Sequence, residues 1–166
     1  MEKEILNKPI DWGKCHVYMP YGGWCGVSVI KTIFNVAEIK KSIYEIALYV
    51  WKWWYGSPYI LIVAYLNKFF TLVNYRTGAT IEDIKKHLSA GHICIINFQD
   101  GGEGHYALVT EAIGKRLIIV DSSNEREWTY AMSYDELREK WYDNLTDSLW
   151  HERLLIWVDR KSKRIK

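Results

Sequence analysis

The sequence predicts an α+β domain, with helices gathered in the N-terminal half and a mostly antiparallel β-sheet in the remainder. Three observations carry this expectation. Apolar residues recur at helical spacing through the first third of the chain, and β-rich runs separated by glycine turns fill the part beyond Phe69. No repeat or linker divides the 166 residues, a length suited to a single domain spanning 1–166.

Residues 1–24 hold Pro9, Gly13, Pro20, Gly22 and Gly23 and read as an N-terminal arm without regular structure. Beyond Gly26, residues Val29, Ile30, Ile33, Phe34 and Ala37 follow a helical period, which predicts a first helix over Cys25–Ala37. Ile39, Ile43, Ile46, Ala47 and Val50 continue that period towards Trp54, and Gly56 stops it. Ser57-Pro58 supplies a capping residue and a proline suited to a first helical position, predicting a helix to about Lys68. The run from Phe70 to Tyr75 is β-rich, and Thr80-Ile81-Glu82-Asp83 resembles a capping box for a short helix closed by Gly91. Strands are predicted over His92–Phe98, His105–Glu111, Arg116–Val120 and Arg153–Val158, with a capped helix from Ser133 through Trp141. The segment Asp100-Gly101-Gly102-Glu103-Gly104 reads as a flexible loop; no lysine or helix start follows it, as a phosphate-cradling loop needs.

Composition narrows the function classes. The net charge is +2, and five positive charges fall in the basic tail 160–166, leaving a body near −3 that argues against nucleic acid as a partner. The tail itself reads as a solvated end. The most apolar stretch, Tyr59 to Tyr75, is interrupted by Asn67 and Lys68, so no membrane span is expected. Three cysteines and an N-terminus lacking an apolar signal region predict a reducing, cytoplasmic setting. Cys15-His16 with Cys25 lacks the paired spacing of a zinc site; neither metal nor cofactor is expected.

The stretch that suggests chemistry is Tyr21-Gly22-Gly23-Trp24-Cys25-Gly26. It places a cysteine where a loop becomes a helix, and there unpaired N-H groups and the helix dipole favour thiolate over thiol. Taken singly, such a cysteine is most often a small buried residue. A thiol nucleophile also needs a base and a group that orients the base. His105, opening a strand after the glycine loop, is the candidate base. Asp121 ends the next strand. With Ile113-Gly114-Lys115 as the hairpin loop, Ala112 faces Arg116 and Asp121 faces Ala107, two residues from His105 on one sheet face. His16, His87, His92 and His151 lack such an acidic partner. Cys94 alternates with Ile93 and Ile95 and reads as core, and Glu103, beside the loop, reads by default as solvated, with contact to a substrate as the alternative.

The order Cys, His, Asp across a helical half and a sheet half resembles the papain-like superfamily. More specifically, it resembles the bacteriocin-processing (double-glycine) peptidase family and its stand-alone relatives. The matching residues are Trp24-Cys25-Gly26-Val27-Ser28, the run Ile84 to Gly91 leading to the strand His92 to Ile96, Gly104-His105-Tyr106-Ala107-Leu108-Val109, Leu117 to Ser122, and Ser133 to Trp141. The resemblance spans residues from about 15 to 145 and implies a papain-like fold, a peptide or protein substrate, and a catalytic Cys25, His105 and Asp121. Two departures stand out. Met19 occupies the position six before Cys25, where the family usually carries an oxyanion-binding glutamine, and Gln99, the one glutamine, lies far downstream. Ser122 follows the aspartate where proline is common. The oxyanion donors that remain are the N-H of Cys25 together with Tyr18, Tyr21 or Trp24. The reading is a cysteine peptidase working through an acyl-enzyme. Its alternatives are acyl transfer to an amine by the same triad, and a catalytically impaired peptide-binding domain, with Trp51, Trp53 and Trp54 lining a groove.

Overall fold

The computed structural model describes residues 9–53, 56–143 and 151–164. The anticipated Trp54 groove residue lies outside them, as do the first eight residues and the last two of the basic tail.

The arm contains one short helix that the sequence did not announce, α1 (Trp12–Cys15), capped by the Asp11 side chain. The turn at Gly23, with φ +77°, uses the left-handed region open to glycine and swings the chain into α2 (Cys25–Val36). Of its 12 residues, nine are buried, so α2 is the central helix of the N-terminal half. Helix α3 (Ile43–Val50) is shorter than the period from Ile39 to Trp54 predicts. Ser42 and Glu45 form a reciprocal capping box that starts it, and Trp51 turns to extended backbone and ends it. Helix α4 (Tyr59–Leu66) has Pro58 at its N-cap rather than within its first turn. Ser57 caps nothing. Its hydroxyl is buried against Gly26 of α2, with no hydrogen-bond partner among the described residues.

The sheet follows: β1 (Val73–Arg76), β2 (Ile93–Asp100), β3 (Glu103–Ile113), β4 (Arg116–Val120), β5 (Thr129–Ser133) and β8 (Leu155–Val158) run in the order β1-β8-β2-β3-β4-β5 with antiparallel pairing throughout. A separate two-stranded pair, β6 (Tyr142–Asp143) and β7 (His151–Glu152), closes the loop before β8. Helix α5 (Ile81–Ser89) starts on the Thr80/Asp83 capping box, and Gly91 follows it at φ +78°. Helix α6 (Tyr134–Lys140) is capped by Ser133.

Alternation along the strands explains the layering. Ile93, Ile95, Tyr106, Leu108, Ile156 and Val158 face the core shared with α2, α3 and α4. Their neighbours Cys94, Ile96, Phe98, Ala107, Val109 and Leu155 face a second core with α5 and α6. The sheet is thus covered on both sides, which is why the first six residues of β2 are all buried. The basic tail is docked rather than a freely solvated end: Lys163 Nζ donates to the Ala37 carbonyl at 2.9 Å, and the Arg164 N-H donates to Phe69 at 2.7 Å. Among the described residues no helix is long and apolar enough to cross a membrane.

The helical layer has one tight point. A Cβ on Gly26 would lie 2.6 Å from the Ser57 Cβ and 2.9 Å from its Oγ. Alanine in place of glycine inside a helix gains about 0.5–1 kcal/mol in propensity, but overpacking costs about 1–3 kcal/mol, so the steric effect wins. Gly26→Ala is expected to lower the urea midpoint with an unchanged slope. A midpoint at or above that of the wild type contradicts this packing.

Candidate active site

The site forms where the N-terminus of α2 meets the ends of β3 and β4. Trp24, at the N-cap of α2, makes no side-chain capping bond, so the N-H groups of the first turn, that of Cys25 included, have no cap to satisfy them. The Cys25 side chain is buried, yet it lines a cleft of about 340 Å³ together with His105, Gly104 and Ser123.

His105 reaches this cleft from the third position of β3. The segment before it is a tight hairpin, not the longer loop anticipated. Asp100 pairs with Glu103, and only Gly101 and Gly102, at φ +62° and +93°, make the turn. The β3-β4 hairpin also turns more tightly than expected, with Ile113 facing Arg116 and Ala112 facing Leu117. That shift alone would leave Asp121 opposite Leu108, one residue short of Ala107. A β-bulge between Val109 and Glu111 takes up the extra residue, so that Leu108 faces Val120 and Asp121 falls in line with Ala107. Two departures from the anticipated register therefore cancel.

The resulting contacts are short. His105 Nε2 and Asp121 Oδ1 are 2.6 Å apart, and Cys25 lies on the same cleft close enough to act on the ring electrostatically. His105 is 7% exposed and Asp121 fully buried. Burial opposes a charge on His105, but the hydrogen bond to Asp121 and the electrostatic pull of Asp121 and Cys25 outweigh it and push the imidazole pKa up to about 10. Burial likewise works against the Asp121 carboxylate. The imidazole, the Ser123 N-H and the Tyr130 hydroxyl hold its pKa below the usual value nonetheless.

Several partners of this pair carry no sequence motif. Tyr130 Oη donates to Asp121 Oδ2 at 2.9 Å, and burial and the adjacent carboxylate raise the phenol pKa, so it remains a donor. Arg126 Nη1 donates to Tyr130 Oη at 3.3 Å, lies 3.9 Å from Asp121 Oδ2, and forms an ion pair with Asp100 on the cleft wall. From the arm, His16 Nε2 donates to the Asp121 carbonyl at 2.7 Å. Tyr130 lies on β5, a strand that the sequence reading missed. The clue was a polar-aromatic run, Trp128 to Tyr130, directly after a turn-rich stretch.

The remaining candidates are dispersed. Tyr21 lines the cleft, but Tyr18 packs edge-on against His16, and the Trp24 ring is buried among Tyr21, Tyr44 and Trp51. Trp51 is half-buried against Trp24, Trp53 is exposed, and neither lines the cleft. Glu103 and Asp100 line it; Gln99 does not. Cys15 is half-buried outside the cleft, while Cys94 is fully buried in the second core, where burial pushes its pKa up to about 12. Among the described residues no three His, Cys, Asp or Glu side chains could together hold a metal ion.

No protein-family model matches the sequence, and no curated protein is detectably similar to it. Solved structures are similar in fold. A putative C39-like peptidase from Bacillus anthracis has a TM-score of 0.67 at 13% identity, over 97% of each chain. The peptidase domain of Streptococcus ComA, a bifunctional ABC transporter involved in a quorum-sensing pathway, has a TM-score of 0.62 at 16% identity, over 86% of this chain and 96% of that one. A double glycine motif protease from an AMS/PCAT transporter, in complex with the leader peptide, has a TM-score of 0.60 at 9% identity, over 86% of this chain and 89% of that one. The chain therefore has the papain-like α+β fold of double-glycine, or C39, peptidase domains.

The buried pair makes stability depend on pH in a defined direction. A raised His105 pKa contributes stability that is complete below its unfolded value of 6.5 and is lost as pH rises through about 10. The lowered Asp121 pKa contributes stability above its unfolded value of 3.8 that is lost as pH falls through the lower folded value. Asp121→Asn is expected to lower stability by about 3 kcal/mol near pH 6, with the gap to the wild type narrowing towards pH 10 and below pH 4. Urea titrations across that range check it. A gap independent of pH contradicts the pairing.

Proposed function

We propose that the chain is a cysteine peptidase, with Cys25 as nucleophile, His105 as proton carrier and Asp121 as the group that orients His105. The observation that carries this reading is the single imidazole hydrogen-bonded to the Asp121 carboxylate and sharing with Cys25, which acts on it electrostatically, an otherwise buried position that opens to a cleft. The fold of double-glycine peptidase domains supports it, and the leader peptide bound to one such neighbour supports a peptide substrate for this chain.

The chemistry follows from the geometry. His105 takes the Cys25 proton, and the thiolate sulfur attacks the scissile carbonyl carbon while the carbonyl π electrons move onto oxygen. The tetrahedral intermediate collapses as His105 returns the proton to the departing amine nitrogen, leaving a thioester on Cys25. Water then attacks the thioester, gives a proton to His105 and releases the acid, and the sulfur leaves as thiolate. Asp121 stays ionised throughout and keeps the imidazolium charge balanced. The same acyl-enzyme can pass to an amine, and the acceptor distinguishes the acyltransferase alternative.

A second reading rests on Met19, which stands where the related peptidases carry a glutamine. In that reading the cleft binds a peptide without cutting it. Cys25→Ala separates the two, because a binding domain keeps both peptide affinity and biological effect without the sulfur.

Iodoacetamide is expected to alkylate Cys25 faster than Cys15 or Cys94, with the adduct located by mass spectrometry. His105→Ala is expected to slow that alkylation at neutral pH and to lower kcat on a peptide by at least about 10³-fold. Equal, slow labelling of all three thiols refutes the peptidase reading.

A further inference from the structure

Resting on the peptidase reading, we infer that Asn124 is a catalytic residue: its side-chain amide supplies the oxyanion donor that Met19 cannot. An oxyanion forming on the carbonyl attacked by Cys25 needs donors fixed in place before the reaction. One is available in the N-H of Cys25 at the start of α2, which the Trp24 side chain does not cap. The second must come from a side chain of the cleft wall.

Chemistry excludes most of the wall. Asp100, Glu103 and Glu125 present carboxylates, which accept rather than donate. The imidazole of His105 is committed to Asp121 and Cys25. The Tyr21 hydroxyl interacts with that of Tyr44, and the Ser123 hydroxyl, which accepts from the Glu125 N-H at 3.2 Å, keeps its own proton to donate but is buried. Met19 and Pro20 bring no side-chain donor. The side-chain donor exposed on the same wall is the Asn124 carboxamide.

Its orientation is settled by its partner. Asn124 Nδ2 lies 2.6 Å from the Met19 carbonyl oxygen, which can only accept, so the amide nitrogen and not its oxygen is turned to residue 19. An amide carries two N-H groups, and this bond uses one. The backbone supports the arrangement, since the Met19 N-H donates to the Ser122 carbonyl at 2.8 Å. Residue 19 is thus strapped to the segment following Asp121, and the carboxamide reaches the cleft from that segment instead of from the arm. A glutamine six residues before the cysteine and an asparagine three residues after the aspartate offer the same functional group.

The test separates this inference from the reading beneath it. Peptide hydrolysis and binding of a peptide aldehyde, whose thiohemiacetal places an oxygen in the same position, both need the donor. Iodoacetamide alkylation forms no oxyanion. Asn124→Ala is expected to lower kcat by about 10²–10³-fold with little change in KM, and to weaken the aldehyde, while alkylation of Cys25 stays within about twofold of wild type. Asn124→Asp, close to isosteric but unable to donate when ionised and repelling negative charge, is expected to be worse than alanine. A melting temperature near that of the wild type shows that both variants fold. Wild-type cleavage with an unaffected Asn124→Ala kcat overturns the assignment and leaves the peptidase reading standing. A wild type that neither cleaves peptides nor alkylates selectively at Cys25 overturns both.

Discussion

A charged imidazole cannot sit in a protein interior unless negative charge is held against it, and that constraint organises this molecule. His105 is almost wholly buried, and Asp121, with no exposure at all, is its counter-charge. Each alone would shed its charge, Asp121 by taking up a proton and His105 by losing one. Together they keep a proton-bearing ring beside the sulfur at the start of α2. Tyr130, Ser123 and Arg126 then converge on the carboxylate, so that Oδ1 faces the imidazole while Oδ2 is occupied from β5. The doubly covered sheet supplies the rigidity, because β3 and β4 cannot shift relative to each other without disturbing two packed cores.

The placement of Cys25, the proposed nucleophile, answers to a different requirement. Sulfur chemistry needs a polar surrounding at an otherwise apolar junction, and the first turn of a buried helix offers backbone N-H groups at that point. Here α2 is buried along nearly its whole length, so its N-terminus is positioned by the core rather than by a cap. The arm completes the site by being zipped to the segment after Asp121 through His16, Met19 and Asn124. The cleft thus has walls from three separated stretches of the chain.

Much of this was legible in the sequence because it depended on local signals. The helical period after Gly26 and the Thr80/Asp83 box located α2 and α5, and the order of Cys25, His105 and Asp121 pointed to one site. What could not be read depended on long-range pairing. The insertion of β8 between β1 and β2 follows from ladders between segments far apart in the chain. The bulge near Thr110 has no composition cue, although it decides whether Asp121 meets His105. Asn124, Arg126 and Tyr130 carry no motif and lie in a stretch, between Val120 and Ser133, for which the sequence predicts no element. Their roles arise only when the β4-β5 pairing turns them back on the aspartate and the arm. Ser57 misled for the opposite reason: it fits a capping motif, but packing against Gly26 claimed it first.

The most direct measurement of the central claim is an NMR titration of the His105 ring in the wild type, Asp121→Asn and Cys25→Ala. The account predicts that the wild-type imidazole keeps its proton well above pH 6.5, and that removing either partner brings its titration down towards or below that value. A wild-type ring that titrates near or below pH 6.5, unmoved by either substitution, would contradict it.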